Sequence, residues 1–246
     1  MHLRSVGRVL EIWRYPISSV GGERIARSRV HPHGLNDDRK YGLIDASTGQ
    51  PAAPEKDVRW RKALHLTAVS PEGELPIVAF PDGRRCSLGD ASLNGMLTEY
   101  FGFAAAIAAY EHTRWRLGFP LTRYRHPHFP LHLLTTSALE QLAKLTRKPA
   151  IDSRRFRPTV LVEVDRIAGF VESDWIGRRL RLGSLDLRAE EETKRCGVTF
   201  VSQPGITEDP EILRTILRNN KRHLGIYCSS EASGTIEQGD EVFVSV

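Results

Sequence analysis

The chain has 246 residues and a mass of 27.7 kDa, with 40% hydrophobic and 26% charged residues, a globular balance that excludes a disordered tail or a free peptide. Lys and Arg number 35 against 30 Asp and Glu, giving a net charge of +5 and a pI near 9.3, an excess that suits an anionic ligand without demanding nucleic acid. The 3 cysteines, Cys86, Cys196 and Cys228, contain no Cys-x-x-Cys pair, which excludes a disulfide framework, a zinc ribbon and a four-cysteine iron–sulfur cluster within the chain.

The opening MHLRSVGRVLEIWRYP lacks a secretory apolar run and reads as a strand of the fold, so the expected compartment is the cytoplasm. Through the first hundred residues, short apolar runs (RVLEIW, YGLID, LPIVAF) alternate with the turn signals Gly21-Gly22, Gly34, Thr48-Gly49, Pro71-Glu72-Gly73 and Pro81-Asp82-Gly83. That spacing predicts short strands and hairpins. FGFAAAIAAY at 101–110 is about half of the roughly 20 apolar residues that a membrane span needs, and reads as a buried segment. The Arg/His/Pro-rich stretch from His112 to Pro130 divides the chain into 1–110 and 111–246.

LHLLTTSALEQLAKL predicts a strand running into a helix that starts near Thr135–Ser137, with Ser137 and Glu140 at capping-box spacing and Leu139, Leu142 and Leu145 on one face. TVLVEVD at 159–165 is a strand with Val160, Val162 and Val164 on one face, and LRLGSLDLRA is a hairpin about Gly183-Ser184. In EDPEILRTILRNN, Asp209 is the N-cap and Pro210 the first helical residue, with Ile212, Leu213, Ile216 and Leu217 apolar. The chain closes on strands separated at Ser233-Gly234 and Gly239-Asp240. The class is β-rich α+β.

Cys196 carries the most chemical information, because Lys194 and Arg195 precede it and cations stabilise a thiolate, the form that binds a soft metal or carries a persulfide. Cys86 and Cys228 have no such neighbours and read as buried thiols. Three segments suit an anion: Arg39 before a strand in HGLNDDRKYGLID, Arg154, Arg155 and Arg157 in SRRFRPTV, and the hydroxyls of TTSAL at a helix N-terminus. The pairs His31-x-His33 and His126-x-His128 have no evident third metal ligand and suit loop packing or ligand contacts, with His126, His128 and Trp115 candidates for a substrate side. Signatures of serine hydrolases, zinc proteases, P-loops and dinucleotide-binding folds are absent from the sequence.

Taken in order, IWRYPISSVGGE, HGLNDDRKYGLID, LHLLTTSAL, SRRFRPTV, the Arg-Cys of KRCGV and the terminal GIY…GTIEQGDEV resemble proteins with a molybdenum cofactor sulfurase C-terminal (MOSC) domain preceded by its N-terminal β-barrel partner. The likeness spans nearly the whole chain. It implies a MOSC-type β-barrel with short helices, a smaller N-terminal β-barrel-like domain, and a molybdenum–molybdopterin cofactor (Moco) whose metal is held by Cys196. Carried over by position, Ser18 and Ser19 with Arg39 meet the anionic tail, Thr136 and Ser137 the phosphate or pterin, Arg157 and Thr159 the pterin, and Arg195 flanks the metal ligand. The family's lysine is Ser18 here and its asparagine is Thr159. Loss of one charged hydrogen bond costs on the order of 1.5–3 kcal/mol of binding unless another cation, such as Arg154, substitutes.

Within the family, the likeness to amidoxime-reducing proteins implies an oxidoreductase acting on small N-hydroxylated or similar N–O substrates. With too few cysteines for a cluster of its own, such an enzyme takes electrons from an external ferredoxin-, flavin- or cytochrome-type protein. The alternative is a carrier of persulfide sulfur or of the cofactor without redox turnover. A membrane role is not expected, and the scattered cations, not interleaved with aromatics, speak against a nucleic-acid module.

Overall fold

The computed structural model describes residues 2–111, 113, 118–124, 131–164 and 168–246. Its first strand, β1 (Leu3–Arg14), buries Val6, Val9 and Ile12, a spacing of three where an unbroken strand would give two. Register shifts between Ser5 and Gly7 and between Val9 and Glu11 account for this, since each bulge changes the facing of the residues after it and bends the strand. A Cβ on Gly7 would lie 1.9 Å from the Glu163 carbonyl oxygen, so glycine permits the close approach.

Short strands follow: β2 (Ile17–Ser18), β3 (Glu23–Ile25), β4 (Arg27–His31), β5 (Gly34–Leu35) and β6 (Tyr41–Asp45). After a 3-10 helix at Val58–His65 come the meander β7 (Thr67–Val69), β8 (Ile77–Ala79) and β9 (Arg85–Ser87), the helix α1 (Leu93–Phe101), and β10 (Ala105–Tyr110), every residue of which is buried. The remaining elements are β11 (Leu121–Thr122), β12 (Leu131–Thr135), α2 (Thr136–Thr146), β13 (Val160–Val164), β14 (Arg179–Leu182), β15 (Leu185–Lys194), α3 (Pro210–Asn219), β16 (His223–Ser229), β17 (Gly234–Glu237) and β18 (Glu241–Ser245).

Strands β13, β12, β16, β15, β14, β18 and β1 pair in that order, and β1 pairs back to β13, closing a barrel of 7 strands. The N-terminal strand thus completes a barrel whose other strands all follow residue 130. Its core joins Val6, Val9 and Ile12 to Leu133, Val162, Leu182 and Val244. A second core, which includes Ile17, Leu43, Trp60, Leu97 and Ile107, fills the 17–109 region. A third lies beneath α2 and α3, where Leu142, Ile212 and Ile216 meet Phe156 and Leu224.

The β-rich class, the hairpin at Gly183-Ser184, the Asp209 cap with Pro210, and the closing strands match the sequence reading. Two details differ. The α2 cap is Thr135, whose hydroxyl accepts from Ala138 N–H at 3.1 Å, not Ser137; of three successive hydroxyls, Thr135 has the extended backbone that a cap requires. The strand-rich first half also contains α1 and the 3-10 helix. Among the described residues, no helix is long and apolar enough to cross a membrane.

Candidate functional site

A cleft of about 560 Å³ forms where the 17–109 region meets the barrel, and Ser18, Ser19, Arg39, Arg157, Thr159, Arg195 and Cys196 all line it. Its cationic part is organised around Tyr15. Asp38 is buried and accepts the Tyr15 N–H at 2.6 Å, while pairing with the Arg39 guanidinium. Arg39 Nη2 then donates to the Arg157 carbonyl at 3.1 Å. The Tyr15 ring meets both cations, with Arg157 Cζ at 4.2 Å and Arg39 Cζ at 4.9 Å from its centroid.

Arg157 differs from Arg39 in lacking a carboxylate. Its Nη1 and Nη2 are buried and have no hydrogen-bond partner among the described residues. Burial pulls its pKa down to about 10, with Arg39 adding repulsion. A buried guanidinium with unused donors is costly in the free chain and ready for an acceptor. Ser19, Arg39 and Arg157 also share left-handed backbones, at φ 66°, 48° and 52°. Each non-glycine residue there costs on the order of 1 kcal/mol, and strain of this kind gathers at ligand sites.

Cys196 follows Arg195 on a loop tied down from both sides. Arg195 Nε donates to the Leu224 carbonyl at 2.8 Å and Nη1 to the Phe156 carbonyl at 3.0 Å. Arg222 returns the tie, Nε donating to the Arg195 carbonyl at 2.5 Å. Arg195 therefore braces the loop by its hydrogen bonds and makes none to the Cys196 thiol among the described residues. The thiol itself is half-buried and free, whereas Cys86 and Cys228 are buried, the latter with its pKa pushed up to about 12 by that burial.

Thr136 and Ser137 do not line the cleft. Thr136 Oγ1 accepts from Val164 N–H at 3.2 Å, and Ser137 Oγ donates to the Gly169 carbonyl at 2.8 Å, so helix capping and packing direct these hydroxyls elsewhere. Thr159 lines the cleft, yet its hydroxyl accepts from His132 N–H at 3.2 Å and braces β12. Arg154 is not the substitute cation: it is paired with Asp152 and bonded to the Pro204 carbonyl, outside the cleft lining. His31 Nδ1 contacts Ser233 Oγ at 3.1 Å, and the described residues contain no group of three or more His, Cys, Asp or Glu able to hold a metal. His126, His128 and Trp115 lie outside the described residues.

The family model described as MOSC domain matches residues 120–243, and that described as MOSC N-terminal beta barrel domain matches residues 6–72. The chain belongs to the MOSC family. Three solved structures are similar to this MOSC protein. The YuaD protein from Bacillus subtilis has a TM-score of 0.51 at 14% identity, with 99% of this chain and 97% of that one covered, a likeness of fold. YiiM from Geobacillus stearothermophilus gives 0.37 at 11% identity over 48% and 55% of the two chains, and a hypothetical protein gives 0.45 at 8% over 98% and 68%. No curated protein matches the sequence. MOSC domains are associated with molybdenum-cofactor binding.

The MOSC cleft also contains residues that motif reading passed over, chief among them His132 on β12. Its Nδ1 lies 3.3 Å from the Arg157 carbonyl and donates there, which leaves Nε2 to accept from Arg195. Gly225, at φ 77°, makes room for this contact: a Cβ would lie 2.7 Å from His132 Nε2. A histidine set among the leucines of the LHLLT strand was the available signal.

Burial, and secondarily the Arg195 charge, hold the His132 pKa well below its ordinary value. The folded ring stays neutral while the unfolded chain takes up a proton below about pH 6.5, so this contribution to stability is present above that pH and lost as pH falls. We expect denaturant-derived stability to drop between pH 7 and 5.5 with a slope of up to about 1.4 kcal/mol per unit from this group. Glu172, buried with its pKa raised by that burial, works in the opposite sense, gaining stability as pH falls. The difference between wild type and His132→Gln isolates the histidine; equal slopes would show that His132 titrates freely.

Proposed function

We propose that the protein binds a molybdenum–molybdopterin cofactor in this cleft and reduces small N-hydroxylated or similar N–O compounds. The observation that carries the reading is the Arg157 guanidinium, buried with both terminal nitrogens unpartnered, in the same cleft as the half-buried free thiol of Cys196. The first needs an anionic acceptor of the kind a phosphorylated pterin brings; the second is a ligand for a soft metal. When bound, the group supplies two-electron redox chemistry at its metal.

In this assignment Cys196 holds the metal. Arg157, Arg39 and Ser19 take the anionic part, Ser18 and Thr159 complete the wall, and Arg195 fixes the loop that presents the thiol. Lys194 is a further cation in the same lining. Electrons come from a separate ferredoxin-, flavin- or cytochrome-type protein, because the chain has only 3 cysteines. Three free thiols also accord with a cytoplasmic location.

The test is elemental analysis of gently purified protein together with fluorescence of its oxidised pterin, for wild type and Cys196→Ser. Near-stoichiometric molybdenum and pterin, with the metal lost in the variant, is the expected result. Absence of both from wild type made in cofactor-replete cells would overturn the assignment. A second reading, persulfide or cofactor carriage, is favoured by Cys196 being the one cysteine that is not buried. Intact mass after incubation with a cysteine desulfurase tests it: a sulfur adduct lost in Cys196→Ser supports carriage, and an unmodified chain that also fails to reconstitute an apoenzyme removes it.

A further inference from the structure

Another part of the cleft wall comes from β15 and β16. Successive strand residues face opposite ways, yet Glu191, Glu192 and Lys194 all line the cleft. The ladder to β16 is irregular on both sides of this pair: it shifts register between Ala189 and Glu191 and again between Glu192 and Lys194. Bulges of this kind re-aim side chains beside sites.

Glu192 is held at one oxygen and faces a histidine with the other. Ser173 Oγ donates to Oε1 at 2.7 Å, and Oε2 lies 3.4 Å from His223 Nδ1. That nitrogen is buried and makes no hydrogen bond among the described residues, and the Glu192 carboxylate faces it at ion-pair distance. Acid–base pairs are often this loose before a ligand closes the site. His223 Nε2 has no protein partner among the described residues, and His223 itself lines the cleft with its side chain 26% exposed. Lys194 is its cross-strand partner on β15.

A carboxylate that faces one ring nitrogen favours a proton there and so selects the tautomer that leaves the other nitrogen to the cleft. We propose that His223 is the proton-transfer residue of this cleft, with Glu192 and Ser173 as the residues that position it. The substrate side of this inference rests on the reductase reading. Converting R–NH–OH to R–NH2 and water breaks the N–O bond and takes up two electrons and two protons. The electrons come from the ferredoxin-, flavin- or cytochrome-type donor. Protonated His223 delivers one proton from Nε2 to the departing oxygen, which leaves as water, and the ring relaxes to the Nδ1–H form that faces Glu192. It reloads from solvent, and the second proton reaches the nitrogen from water.

The test uses the cofactor-loaded full chain for kinetics and nitrogen-15 histidine spectra for the ring state. We expect His223→Ala to keep its molybdenum and pterin content and its KM while losing about 100-fold in kcat, with partial rescue by added imidazole. His223→Gln replaces it, with the same expected loss, if the alanine variant does not fold. In wild type at a pH where the ring is neutral, the spectra should show the Nδ1–H form, giving way to Nε2–H in Glu192→Ala; this readout is independent of turnover. Full kcat in both His223 variants, loss of kcat without imidazole rescue in a folded His223→Ala, or an unchanged ring state in Glu192→Ala, overturns the proposal and leaves the reductase reading standing. A loaded wild type that turns over no N–O compound overturns that reading, and the proposed step with it.

Discussion

Replacing Arg157 with Met is expected to make the ligand-free chain more stable while stripping it of its anionic ligand. The guanidinium nitrogens are buried without a hydrogen-bond partner among the described residues, and burial has already pulled the group down to about 10. A methionine of similar length removes that desolvation penalty, which amounts to several kcal/mol for a buried ion, and forfeits a cation–π contact with Tyr15 worth about 0.5–2 kcal/mol. The balance is a net gain of about 1–2 kcal/mol, or on the order of 2–8 °C in Tm for a domain of this size. The carbonyl of residue 157, which receives Arg39 and His132, is unaffected. Ligand retention moves the other way: charged hydrogen bonds are worth about 1.5–3 kcal/mol each, so pterin affinity falls by roughly 10²-fold or more. Melting curves of the two ligand-free proteins with pterin content measured alongside decide the matter. A variant that melts lower than wild type would show that Arg157 is satisfied in the free chain, and the argument for an anion there would fail.

The same logic shows why some of the site was legible before the fold and some was not. Arg39, Arg157 and Cys196 stand out by residue type and sequence neighbours, although the same signal also marks Arg154 and Arg195, which the fold uses as structural ties. His223 and Glu192 carry no such local signal: 31 positions separate them, and the register shift between Glu192 and Lys194, which sets His223 opposite Lys194, is one that alternation cannot foresee. At Thr135-Thr136-Ser137 the helix start was legible but the capping hydroxyl was not, because backbone conformation chooses among three equivalent side chains. The helix α1 was hidden for a related reason. Its Ser92 cap makes no side-chain bond and Gly95 lowers its intrinsic propensity, so the packing of Leu93, Leu97 and Phe101 against the 17–109 core holds it. The strands and α3, by contrast, carry their periodicity and caps in the sequence itself.

Arg195→Met is expected to have the opposite effect to Arg157→Met, although burial pulls both arginines down to about 10. Arg195 donates to the carbonyls of Leu224 and Phe156 and to His132 Nε2. Methionine leaves the Phe156 carbonyl without this donor and strips the Leu224 carbonyl and His132 Nε2 of the guanidinium they share. Each orphaned group costs about 1–3 kcal/mol, and with partial relaxation the loss is about 3–5 kcal/mol, a large share of the 5–15 kcal/mol that holds a typical domain. Arg195→Lys recovers only part of this, because one ammonium cannot reach the spread of acceptors that a planar fork serves. Chemical denaturation of wild type and both variants gives the order directly. If Arg195→Met unfolds at the wild-type midpoint, the loop is held instead by Arg222, whose Nε reaches the Arg195 carbonyl whatever side chain residue 195 carries. The two substitutions differ only in whether the guanidinium already has acceptors, and that difference separates an arginine that holds the fold from one that awaits a ligand.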